Sequence, residues 1–306
     1  THSLCSPSRA TMLTGRPTHA HGIRDNKTPF TSGDTWPHAL RAAGYRTGYF
    51  GKWHMGRQQE RPGFDDVFTF IDQGIYPNSR FLHDGRWVET EGWVDDVTTT
   101  RAIDYIARHR DAPFALFIGY KSPHDDRTPP PRHAARYAGE RIAEPVNFHA
   151  HPPFPWGDRS RRWNPAVEDR LNYFRCLQGV DDNIGRLLEA LRTQGLADDT
   201  LIIYAGDNGY YLGEHGLGDK RSAYEESIRI PLLVRYPRVV KAGTVVEALV
   251  LNLDLAETIL EFAGVTPNWT QEGRSLAPLL RGERPADWRT EFFYENYQDP
   301  EYPDVT

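Results

Sequence analysis

Phe114-Ala115-Leu116-Phe117-Ile118-Gly119-Tyr120 is an unbroken apolar run set between Pro113 and Pro123. Its length suits a strand, and apolar side chains at successive positions need cover on both faces, as in a parallel sheet flanked by helices. The segments around it alternate in the same sense. Upstream, residues 10–14 read as the start of a helix ended near Gly15 and Pro17. Residues 35–43 read as a short amphipathic helix closed by Gly44, 45–50 as a strand running into Gly51 and Lys52, and 97–108 as a helix. Downstream, 167–194 has helical spacing, 200–205 is an apolar strand ending at Gly206-Asp207-Asn208-Gly209, 230–236 is a strand and 252–263 a helix. No internal repeat interrupts this order. The pattern predicts an α/β fold with a mixed, largely parallel central sheet flanked by helices, in which ligand residues gather at the carboxyl ends of strands.

Residues 1–285 are expected to form one catalytic α/β domain. A strand over 291–297 would open a small carboxyl-terminal subdomain, residues 286–306. Residues 128–165 are rich in Pro, His and Arg without a clear period, which predicts a long surface excursion beside a cleft. Trp156 and Trp163 within it are candidates for stacking on a sugar, though a surface-covering loop explains the segment equally well.

Composition limits the functional classes. Hydrophobic residues make up 39% and charged residues 25%, ordinary for a globular chain with a dense core. A net charge of −6 argues against a nucleic-acid partner or an anionic membrane surface, while leaving room for a local basic pocket. No apolar run approaches the length of a membrane span, and no signal-peptide pattern is visible at Thr1; cellular location is left open. Cys5 and Cys176 are the two cysteines, too few for a disulfide scaffold. Lysine is scarce, occurring at 27, 52, 121, 220 and 241, so a lysine inside a motif carries information.

Four clusters carry that information. In Ser3-Leu4-Cys5-Ser6-Pro7-Ser8-Arg9 a cysteine near a helix start would face unpaired backbone N–H groups that favour an anion, and Arg9 adds a planar cation. A buried structural thiol and a surface guanidinium are the alternative reading of the same residues. Gly51-Lys52-Trp53-His54 puts a lysine and a histidine two residues apart at a strand end, directed to one side. Ser122-Pro123-His124 lies just beyond the apolar strand. Asp207-Asn208, followed by Gly213-Glu214-His215-Gly216 and Lys220, offers hard oxygens at a turn.

These clusters resemble the sulfatase family, part of the alkaline-phosphatase-like superfamily. Cys5, Pro7 and Arg9, followed by Thr14-Gly15, match its Cys-x-Pro-x-Arg signature; a Cys-dependent phosphatase would place its arginine six residues after the cysteine, not four. Residues 44–54 resemble the second signature, with Phe50 bulkier than expected, and 198–231 resemble the segment that binds metal and sulfate. The resemblance implies that Cys5 is converted to formylglycine by a formylglycine-generating enzyme, and that the hydrated aldehyde is the nucleophile. It implies roles for Arg9, Lys52, His54, His124 and Lys220 around a sulfate ester of a small molecule or glycan. Asp207, Asn208 and the modified Cys5 would hold Ca²⁺ or Mg²⁺, with Glu214 and His215 having a weaker claim.

The family's metal site also uses two Asp residues on a strand upstream of the cysteine. No Asp pair precedes Cys5, and the pairs at 65–66, 95–96, 125–126, 181–182 and 198–199 are not assigned that role. Three ligands fall short of the six to eight oxygens of Ca²⁺. The expectation is therefore a truncated chain that binds metal weakly and turns over poorly. The implied activity is sulfate monoester hydrolysis. The alternatives are a phosphonate or phosphate ester hydrolase of the same superfamily, and a non-catalytic binder of sulfated glycans in which Cys5 stays a thiol.

Overall fold

The structure is a computed structural model that describes residues 2–153 and 165–297. Trp156 and Trp163 fall outside them. The cysteine motif is helical from its first motif residue: α1 spans Cys5–Thr14, and all its residues are buried. The apolar pattern placed this start at residue 10, because the first turn is polar and contains Pro7. Proline is tolerated there, where backbone N–H groups have no intrahelical partner. Gly15 ends α1 with φ of 67°, its N–H bonded to the Thr11 carbonyl, as expected for a left-handed helix cap. Two short helices, α2 (Thr18–His21) and α3 (Trp36–Ala42), lead to β1 (Arg46–Lys52).

The main sheet comprises β1, β2 (Asp66–Phe70), β3 (Phe81–His83), β4 (Arg86–Val88) and, after α4 (Val94–His109), β5 (Phe114–Gly119), in the order β4-β3-β2-β1-β5. Its centre is parallel, β1 pairing with both β2 and β5, while β3 and β4 extend it antiparallel. After α5 (Val167–Thr193), the strands β6 (Ile202–Ala205) and β9 (Leu232–Arg235) form a separate antiparallel pair. Between them lie the short hairpin β7 (Tyr211–Leu212) and β8 (Gly218–Asp219), and α6 (Glu225–Ile228); α7 (Asp254–Ala263) and α8 (Ala277–Leu280) follow.

Alternation along β1 divides the core. Tyr49 joins Ala10 and Leu13 of α1, Trp36 and Leu40 of α3, and Ala256 and Leu260 of α7. Phe50 faces the other way, toward Phe68, Tyr105 of α4 and Cys176 of α5. The bulk of Phe50 is absorbed there: its ring meets Tyr105 edge-on at 5.4 Å, and a Cβ on Gly48 would come within 2.8 Å of it. The apolar run of β5 does have cover on both faces, Ala115 and Phe117 on one side and Phe114 and Leu116 on the other. It is nonetheless only half-buried up to Ile118, because among the described residues it pairs with β1 alone.

No strand forms over 291–297; the apolar residues that suggested one, Phe292 and Phe293, are exposed. No helix among the described residues is long and apolar enough to cross a membrane.

Candidate active site

β1 and β5 run parallel with Gly51 opposite Gly119, so Lys52 and the segment from Lys121 to His124 emerge from the same end of the sheet. Gly51 is required at this point. Its φ is +93°, and a Cβ would lie 2.2 Å from the Gly119 carbonyl oxygen, so no other residue allows the two strands to approach this closely. Lys52 is thereby delivered, buried, to Cys5, with Nζ 3.9 Å from Sγ. Arg9, one turn after Cys5 on α1, is fixed from three sides: Nε donates to Asp207 Oδ2 at 3.0 Å, and Nη1 donates to the Tyr49 hydroxyl at 3.1 Å and the Lys52 carbonyl at 2.6 Å. The Tyr49 hydroxyl donates to that same carbonyl at 2.6 Å.

The buried polar residues of α1 are held by distant parts of the chain. Ser6 Oγ donates to the His54 carbonyl, Ser6 N–H to Asn26 Oδ1 at 3.0 Å, and Asn252 Nδ2 to Ser8 Oγ at 2.8 Å. Polar groups this deep need such partners, and here the partners also fix the helix N-terminus that carries Cys5.

The electrostatics follow from three cations around one thiol. Burial alone pushes the Cys5 thiol up, but Lys220, Lys52 and Arg9 outweigh it and hold the group below its ordinary value. Burial pushes Lys52 down to about 8, with Arg9 and Lys220 adding to it. Burial disfavours the Asp207 carboxylate, yet Arg9, Lys52 and Lys220 keep it below the usual range. Burial also disfavours charge on Lys220, but Cys5 and Asp207 raise it. The same cations act on both imidazoles. Burial, then Lys52, Arg9 and Lys220, bring His54 down to about 3; burial, Lys52, Lys220 and Lys121 push His124 lower still. Burial and the neighbouring cations thus both favour the neutral form of each ring.

His124 sits on a turn anchored by Asp95, at the start of α4. Asp95 Oδ1 accepts from Lys121 N–H at 2.8 Å, and Oδ2 accepts from Ser122 N–H at 3.2 Å and Ser122 Oγ at 2.5 Å. The Tyr76 hydroxyl donates to the His124 carbonyl at 2.7 Å. His54 has φ of 56°, and its Nε2 accepts from the Gln73 amide at 3.1 Å.

For a cation, Asn208 Oδ1 is the telling atom, being buried without a hydrogen-bond partner, while its amide nitrogen donates to the Gly209 carbonyl at 2.7 Å. With the adjacent Asp207 carboxylate it supplies hard oxygens of the type that Ca²⁺ or Mg²⁺ takes. Gly209 fixes this turn, since a Cβ there would lie 2.1 Å from the Glu226 carbonyl oxygen. Among the described residues, the three-residue group of potential metal ligands is instead Asp66, His83 and Asp84. It lies at the opposite end of the sheet, Asp66 being level with Gly48 whereas Lys52 is level with Phe70, and Asp66 already pairs with Arg108 at 2.7 Å.

Cys5, Arg9, Lys52, His54, His124, Asp207 and Lys220 thus lie within range of one another's charge, with Asn208 directly after Asp207 in the chain. Glu214 accepts from Leu212 N–H at 2.5 Å, and His215 stacks on Tyr224 at 4.1 Å and meets Asn147 at 3.1 Å; both shape the loop. Sequence reasoning missed Tyr49, Gln73, Tyr76 and Asp95. Tyr49 lay inside the second motif, residues 44–54, and Asp95 lay just before the helix expected at 97–108, in an Asp pair to which no role was given, whereas the helix begins at Val94.

A buried helix N-terminus carrying a cysteine, with Arg9, Lys52 and Lys220 around it at the carboxyl end of a parallel sheet, defines an α/β protein with a buried cationic site. The chain belongs to the sulfatase family, whose sequence model matches residues 1–265. It is 32% identical to an N-acetylglucosamine-6-O-sulfatase of Bacteroides thetaiotaomicron, covering 98% of this chain and 66% of that protein. It is 30% identical to the human N-acetylglucosamine-6-sulfatase, covering 99% of this chain and 62% of that one. The chain therefore spans less than two thirds of these relatives. A solved structure described as a complex with its substrate D-glucosamine-2-N,6-O-disulfate superposes with a TM-score of 0.88 at 31% identity, covering 97% of this chain and 75% of that one. The fold is accordingly the alkaline-phosphatase-like one: a mixed sheet with parallel central strands, flanked by helices.

Proposed function

We propose that the protein hydrolyses sulfate monoesters of carbohydrates, with a 6-O-sulfated glucosamine as the leading substrate and a formylglycine made from Cys5 as the nucleophile. The observation that carries this reading is the position of Cys5, buried at a helix N-terminus with Lys52 Nζ 3.9 Å away. The relatives' substrates support the sugar.

Cys5 Sγ marks the place of the hydrated aldehyde's oxygens. One hydroxyl attacks sulfur in line with the ester oxygen, its proton passing to the Asp207 carboxylate beside Cys5; the sulfur–oxygen bond to the sugar breaks, and the leaving alcohol takes a proton from the side of His124. Arg9, Lys52 and Lys220 stabilise charge that builds on the sulfuryl oxygens, in a pocket too buried for water to screen it. The second hydroxyl then gives its proton to His54, the bond to sulfate breaks, and the aldehyde returns. A neutral His54 is ready for that role. His124 needs a proton, and the arriving anion, by offsetting the cations, favours its uptake. Asp207, Asn208 and the modified Cys5 would hold Ca²⁺ or Mg²⁺, which supplies Lewis-acid polarisation of a sulfuryl oxygen.

Cys5, Pro7 and Arg9 are all buried in the fold. A formylglycine-generating enzyme that reads these three must therefore meet the chain before it folds.

The test is the ratio of rates on 6-O-sulfated N-acetylglucosamine and the matching 6-phosphate, using matured protein. A rate in favour of sulfate supports the proposal. Preference for phosphate assigns the protein to ester hydrolases of the other type, and binding without turnover assigns it to glycan binders.

A further inference from the structure

Residues 291–297 form no strand, yet they reach the pocket's two sides. The Tyr294 hydroxyl donates to the carbonyl of Arg221 and accepts from Ser3 Oγ at 2.7 Å. Ser3 Oγ accepts from Ser227 Oγ at 2.9 Å, and Ser227 Oγ accepts from Arg221 N–H at 2.9 Å. The circuit starts and ends on Arg221. Ser3 and Ser227 are buried and Tyr294 half-buried. Ser3 lies two residues before Cys5, and Arg221 directly follows Lys220. The lysine's turn is strained, with φ of 64° at Asp219 and 92° at Arg221, a region that non-glycine residues hold only when the surroundings enforce it. Glu295 secures the same segment, accepting from Thr18 N–H at 3.0 Å, His19 N–H at 3.1 Å and His19 Nδ1 at 2.7 Å.

We propose that Tyr294 is a positioning residue: its hydroxyl closes a ring that ties the Cys5 segment to the strained Lys220 turn, setting the distance between nucleophile and cation. This rests on the sulfatase reading for its meaning in turnover, but the ring itself can be tested without turnover. In protein made without maturation, hydrogen exchange read on the peptides holding residues 1–9 and 217–224 reports whether the two ends of the ring stay ordered together, since the Arg221 N–H is itself a member of it.

Tyr294→Phe removes one oxygen and nothing else. Exchange should then speed up in both peptides, Ser3→Ala should produce the same change, and the double variant should add little, because both open one ring. In matured protein, kcat on a 6-O-sulfated glucosamine should fall about tenfold with KM nearly unchanged, as expected for a small misplacement of a catalytic cation. Exchange identical to that of the parent protein in Tyr294→Phe and Ser3→Ala overturns the proposal. Faster exchange in both peptides, in variants of a parent protein that hydrolyses no sulfate ester, upholds the ring and refutes the functional reading.

Discussion

Arg9 and Asp207, 198 positions apart in the chain, form an ion pair at 3.0 Å that joins the helix of Cys5 to the turn after β6. It unites the two halves of the pocket, and its arrangement explains why a single carboxylate coexists with three cations there. Arg9 stays charged because Asp207 offsets its burial, and Asp207 stays ionised because Arg9, Lys52 and Lys220 surround it.

Replacing Asp207 with Asn leaves a buried guanidinium without its counter-charge. The expected loss is about 3 kcal/mol, toward the low end for a buried pair because the Asp207 side chain is 24% exposed. Urea unfolding measures it. The folded carboxylate titrates below its ordinary 3.8, so the contribution is complete above that pH and fades as pH falls through the folded value. The acid limb of the stability curve should accordingly be shallower in Asp207→Asn.

Lys52 should set the alkaline limb of kcat/KM. Its ammonium loses a proton as pH rises through about 8, and the pocket loses a cation with it. Lys52→Met should lower turnover by about 10² to 10³, whereas Lys52→Arg, which keeps its charge, should shift the limb to higher pH. A limb unchanged in Lys52→Arg would assign it to another group.

Anion binding should be coupled to proton uptake. Burial and the cations oppose charge on His54 and His124; inorganic sulfate offsets those cations and favours imidazolium. Sulfate should bind more tightly as pH falls. Calorimetry in two buffers of different ionisation enthalpy should show net proton uptake, and its absence would separate the imidazoles from the anion.

Asp95→Asn should loosen the turn that carries His124. Its amide would present N–H groups to Ser122 N–H and Oγ, in place of the oxygen that now accepts at 3.2 and 2.5 Å. A fall of about tenfold in kcat with KM nearly unchanged is expected, and an unaltered kcat would leave Asp95 a purely structural residue.

How far the sequence could be read depended on whether a residue's partners were local. The run at 114–120 announced a strand because apolar side chains at successive positions have few other uses, and it placed His124 at the correct strand end. The three-residue strands β3 and β4 are too short to display a period, and they went unread. The polar first turn of α1 concealed a helix whose residues are held by Asn26, His54, Asp207 and Asn252, all distant in sequence. Residues 291–297 misled for a related reason: the run of aromatic residues suggested a strand, but Tyr294 and Glu295 are occupied by hydrogen bonds to Ser3, Arg221 and Thr18. Spacing alone carries no trace of such partners.

The most direct test of the account is a mass spectrum of the peptide holding residues 1–9, from protein produced alongside a formylglycine-generating enzyme and assayed in parallel for sulfate release. The account predicts an aldehyde at position 5 in the active preparation and an intact thiol in an inactive one made without that enzyme. Equal sulfate release from both preparations, or a thiol in the active one, would contradict it.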